Sequence, residues 1–135
     1  MIFNSFDNPE TYNSEAYKLL LAICSQYQVD PSASLESEKF FQKLLSQYNG
    51  SLDLESMTGW LNEQIAQWFV AVGERPKWIQ GCDWQFIDGV PAIFAGQIDV
   101  SIKNSEVASS IFHDDTSFYV FIGKKTPPIV IMQQY

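Results

Sequence analysis

From Ser14 to about Gln28 the apolar positions Tyr17, Leu20, Leu21, Cys24 and Tyr27 recur at helical intervals and predict a first long helix. Ahead of it, Asn8-Pro9-Glu10 places a proline where a helix begins and an acid behind it, the mark of an earlier capped turn. Asp30-Pro31-Ser32 then breaks the pattern. A second stripe, Phe40, Phe41, Leu44, Leu45 and Tyr48, predicts a helix from Leu35 to Tyr48. Ser34 is its N-cap, Glu36 and Glu38 lie at the positive end of its dipole, and Asn49-Gly50 stops it. A third helix is expected from Leu54 to Val72, capped by Asp53 and ended by Gly73. Its inner face is Met57, Leu61, Ile65, Trp68, Phe69 and Val72.

After Arg75-Pro76 the period changes to two. Asp83–Ile87 and Val90–Ile102 flank Asp88-Gly89, a pair that accepts the positive φ angles of a tight hairpin. Strict alternation would put Phe94, Gly96, Ile98, Val100 and Ile102 on one side, and Ala95, Gln97, Asp99, Ser101 and Lys103 on the other. Pro91 has no N–H and belongs at a strand start, an edge or a bulge. Phe118–Ile122 and Ile129–Gln134 are two further strands, and Val107–Phe112 reads either way. Helices followed by strands predict an α+β domain: three N-terminal helices packed on one face of a C-terminal antiparallel sheet of four to five strands. The other sheet face is then solvated or covered by something outside this chain. One domain is expected over residues 1–135, with a helical half to 73 and a sheet half from 74.

Composition narrows the function classes. The apolar fraction of 46% and aromatic fraction of 15% suit a packed core rather than disorder. No apolar run approaches the ~20 residues of a membrane helix. Residues 1–7, Met-Ile-Phe-Asn-Ser-Phe-Asp, lack the basic-then-apolar order of a secretory leader, so the expected setting is cytoplasmic. There Cys24 and Cys82 stay free thiols. Sixteen acids against eight Lys and Arg leave a net charge of −8, which repels nucleic acid and attracts cationic partners.

Catalytic signatures are scarce. The single histidine, His113, adjoins Asp114 and Asp115 in a polar turn, and neighbours on an extended chain point apart rather than converging on one ion. Cys82 has no nucleophile motif around it, and no phosphate loop, dinucleotide fingerprint, HExxH or GxSxG occurs. Neither a cofactor nor a metal is expected. Trp60 and Trp68 fall on helical stripes and belong to the core, whereas Trp78, Trp84 and Tyr135 stand beside polar or acidic residues. Aromatic anchors inside an acidic rim suit a site for a basic protein. Lys124-Lys125 reads as a solvated hairpin tip.

The segment Arg75-Pro76-Lys77-Trp78 leads into Gly89-Val90-Pro91, then Phe94-Ala95-Gly96-Gln97-Ile98-Asp99, Phe118-Tyr119-Val120-Phe121 and Ile131-Met132-Gln133-Gln134-Tyr135. This order resembles the YwqG-like family of small bacterial proteins, from Arg75 onward. The family brings no enzymatic activity to these positions. In its size, acidity and α+β order the chain is also similar to bacterial immunity proteins. That likeness implies a cytoplasmic, non-enzymatic inhibitor of a cognate toxin, with a basic nuclease domain as one candidate. The contacts expected on this reading are Asp83, Trp84, Asp88, Asp114 and Asp115, in a monomer or weak homodimer. A YwqG-like adaptor or small-ligand-binding domain is the alternative, and a hydrolase built on His113 is a third reading.

Overall fold

The computed structural model describes residues 15–101 and 115–135. The expected turn at Asn8-Pro9-Glu10, the Val107–Phe112 segment, His113 and Asp114 lie outside these residues. Helix α1 spans Glu15–Gln26, α2 Leu35–Leu45 and α3 Leu54–Trp68. Tyr17, Leu20, Ile23 and Cys24 bury the inner stripe of α1. The two expected caps form: the Ser34 hydroxyl accepts from the Ser37 N–H at 3.1 Å and the Asp53 carboxylate from the Ser56 N–H at 2.8 Å.

The third helix ends a turn earlier than its periodicity predicts. Phe69 leaves helical geometry at φ −100, ψ 76, and the chain turns extended. Phe94 N–H then donates to Val70 O and Val72 N–H to Phe94 O, both at 2.9 Å, forming a parallel bridge at Ala71. Two β-branched residues thus exchange a helical turn for pairing with the sheet.

The strands are β1 Phe86–Ile87, β2 Val90–Pro91, β3 Ile93–Val100, β4 Thr116–Ile122 and β5 Ile129–Gln134. They form two antiparallel sheets, the hairpin β1-β2 and the three-stranded β3-β4-β5. Asp88 at φ 53 and Gly89 at φ 81 make the expected tight turn. A bulge between Phe94 and Gly96 overturns the strict alternation expected for β3. Phe94 therefore faces inward with Phe121, while Ile98 shares the outward rung with Phe118 and Met132. Gln97 and Asp99, across from Tyr119 and Ser117, fall on the inward side.

A column of rings joins the helices to the sheet. Phe41 stacks on Phe69 with centroids 5.5 Å apart, Phe69 meets Trp84 edge-on at 5.3 Å, and Trp84 meets Phe121 at 5.6 Å. Phe94 lies against Phe121 at 5.3 Å and Trp78 covers Tyr119 at 4.7 Å. The outward face carries Ile98, Val130 and Met132 at least half exposed. Among the described residues no helix is long and apolar enough to cross a membrane.

Candidate binding cleft

Between the bridge at Ala71 and β1 the chain crosses the inward sheet face as a strap that belongs to neither sheet. Its backbone polar groups need partners, and side chains on the sheet supply them. Gln97 accepts from the Lys77 N–H at 2.8 Å and donates to Lys77 O at 3.3 Å. Tyr119 donates to Lys77 O at 2.8 Å. Buried Gln133 accepts from the Ile79 and Gln80 N–H groups at 2.8 and 2.9 Å and donates to Gly81 O at 2.9 Å. Burial pushes the Tyr119 phenol above its ordinary range, so it remains a donor.

Where the strap meets the end of the sheet, two adjoining hollows of about 280 and 290 Å³ share Lys77, Gln97 and Asp99. Asp99 stands at the junction. Its carboxylate accepts from the Ser117 hydroxyl at 2.5 Å and from Gln97 Nε2 at 2.8 Å. Those two bonds, Ser117 first, hold its carboxyl below the usual range, so the charge is fixed in place. Glu74 lines one hollow, and Asp115 and Tyr135 line the other. Tyr135, 76% exposed, is tied down by its N–H donating to Asp115 O at 3.2 Å. Two cations, Arg75 and Lys77, share this lining. Lys77 reaches Glu74 only at 3.8 Å between exposed side chains, and Arg75 turns its guanidinium to the Tyr27 and Phe69 carbonyls.

The expected contact residues do not form one patch. Asp115 belongs to the cleft. Asp88 sits on the hairpin tip beside Ile122 and Gly123, at the opposite end of β4 from Asp115. Asp83 is exposed and its carboxylate accepts from Gln85 Nε2 at 3.1 Å. Trp84 is a correction. It is 4% exposed, its indole N–H donates to Ala92 O at 2.8 Å, and its ring is central to the column. Its polar neighbours mark the reverse face of an extended chain, not an exposed ring. Trp78 is likewise structural, half-buried on Tyr119 with its N–H on Gln28 O at 2.8 Å.

Asp99 was not among the expected contacts. The signal for it was the polar alternation Gln97-x-Asp99, which the bulge turns toward the strap. Burial raises the Cys24 and Cys82 thiols away from the reactive thiolate form, and both are free. Among the described residues no group of three or more His, Cys, Asp or Glu is placed to hold a metal. No family model, curated protein or solved structure matches the chain.

Proposed function

We propose that this protein is a non-enzymatic binding protein of the immunity kind, which occludes a basic toxin domain in the bacterial cytoplasm. The observation that carries the reading is the cleft at Asp99, where a carboxylate oriented by Ser117 and Gln97 stands among Glu74, Asp115 and the exposed ring of Tyr135. The net charge of −8 would steer a cationic partner over about a Debye length. Asp99 and Asp115 would then take up an arginine or lysine side chain, with Tyr135 excluding water around it. No cofactor, metal or nucleic acid enters this mechanism, and a monomer or weak homodimer suffices.

The test is co-expression with a toxin domain encoded beside this chain. Wild-type protein should restore growth, and the D99N/D115N/Y135A variant should protect at least tenfold less at equal abundance. Lack of protection by the folded wild type, or full protection by the triple variant, overturns the proposal. The second reading, a YwqG-like adaptor or small-ligand-binding domain, draws support from a separate apolar groove beside Trp68.

A further inference from the structure

Trp68, expected in the core, is instead 37% exposed and forms one wall of a groove of about 480 Å³. The groove lies between the β1-β2 hairpin and the β4-β5 connection, on the far side of the sheet end from the acidic cleft. Val90, Ile93 and Ile122 continue its wall. The Asp88-Gly89 turn, with both φ angles positive, leaves Val90 41% exposed at the mouth. Gly123 lets Ile87 and Thr126 close in beneath the groove, since a Cβ there would meet Ile87 Cδ1 at 2.6 Å and Thr126 Oγ1 at 2.8 Å. The volume falls within the range of small-molecule sites, about 300–1,000 Å³.

The charge around this groove runs against that of the whole chain. Lys124 and Lys125 line it, and Lys43 lines a smaller hollow that shares Trp68 and Val90 with it. Asp88 is the carboxylate on the same lining. Among the described residues no carboxylate pairs with Lys43, Lys124 or Lys125. In a protein with twice as many acids as bases, two lysines with no carboxylate partner among the described residues therefore line one exposed apolar concavity, and a third lines the smaller hollow beside it. Apolar walls select an apolar body, and the lysines select an anionic head.

We propose that this groove binds a small amphiphilic monocarboxylate free in solution, with an acyl or aryl body against Trp68, Val90 and Ile122 and its carboxylate between Lys124 and Lys125. The site is independent of the toxin-binding reading and shares no residue with the Asp99 cleft.

Dodecanoate below its micelle range is the probe, titrated into the full chain by calorimetry. Displacement of 1-anilinonaphthalene-8-sulfonate provides a second readout. One saturable site is expected. K124E/K125E should weaken dodecanoate about tenfold or more, while improving dodecyltrimethylammonium. K124Q/K125Q should give an intermediate loss, and V90D should abolish both. All of these positions are exposed, so an unchanged urea midpoint shows that the variants fold. Absence of saturable binding, equal affinity for the cationic amphiphile, or an unchanged affinity in K124E/K125E overturns the proposal. So does binding to anionic vesicles without binding to monomeric dodecanoate.

Discussion

Replacing Gln133 by Met would remove the clamp that holds the strap to the sheet while preserving the length of the side chain. Gln133 is 6% exposed and makes three hydrogen bonds to the backbone of Ile79, Gln80 and Gly81. Each such bond contributes about 0.5–1.5 kcal/mol net, so the three together amount to about 1.5–4.5 kcal/mol. Two features pull the value toward the lower end. Ile79 N–H keeps a longer bond to Tyr119 at 3.2 Å, and Gln80 and Gly81 are exposed enough for water to replace the lost partner. The expected cost is therefore about 2–3 kcal/mol. With a urea slope of about 1.5 kcal/mol/M, the midpoint should fall by about 1.5 M at unchanged slope.

The matched control is Gln134→Met, on the opposite sheet face, whose side chain among the described residues makes only a 3.4 Å contact to Thr116. It should move the midpoint by less than about 0.3 M. Amide exchange at Ile79 and Gln80, whose N–H groups donate to Gln133, should quicken in Q133M before any global loss of protection. If Q133M and Q134M cost the same, or those amides stay protected, the clamp is not what holds the strap.

Two further substitutions separate core from site. Trp84→Phe removes the donor to buried Ala92 O and part of the ring column, so it should cost about 2–4 kcal/mol in urea unfolding. Its salt dependence of partner binding should match wild type, because Trp84 offers no surface to a partner. Asp99→Asn tests the fixed charge through pH. Asp99 titrates below its unfolded value, so its contribution is complete above about pH 4 and is lost as the pH falls through the folded value. The midpoint of wild type should therefore drop more steeply below about pH 4 than that of D99N. Parallel curves would mean that Ser117 and Gln97 do not hold the charge.

The helices were legible because a helix of this kind is specified locally. Phe40, Phe41, Leu44 and Leu45 repeat at the right interval, and Ser34 and Asp53 hold their caps within one turn. What escaped depends on partners distant in sequence. Val70 and Val72 continue a helical stripe on paper, yet Phe94 takes their backbone groups. The alternation of β3 is unbroken in composition, and only the pairing with β4 inserts the bulge that sends Phe94 and Ile98 to opposite faces. Trp84 misled for a related reason. Asp83 and Gln85 are polar because they face out, which turns the residue between them inward. Of the expected contacts among the described residues only Asp115 lines the acidic cleft, since joining it to Asp99 and Glu74 requires the strap.

Arg75 shows how that strap ties the site to the helices. One guanidinium nitrogen donates to Tyr27 O at 3.1 Å, just past the end of α1, and another to Phe69 O at 2.7 Å, the C-cap of α3. The cation thus sits at the negative ends of two helix dipoles and over the Tyr27 ring at 4.7 Å. Desolvation lowers its pKa from the arginine value, and the guanidinium stays charged because that value starts so high. A lysine cannot serve both carbonyls, because the fork that spans them is a property of the planar guanidinium. Arg75→Met should cost about 2–4 kcal/mol and Arg75→Lys roughly half of that, read as urea midpoints. Because Arg75→Lys keeps the charge that lines the hollow with Glu74 and Asp99, it should not alter the salt dependence of association with a cationic partner, whereas reversal of Asp99 or Asp115 should. A change in that salt dependence on Arg75→Lys, or none on reversal of Asp99, would mean that the electrostatic account of the site fails.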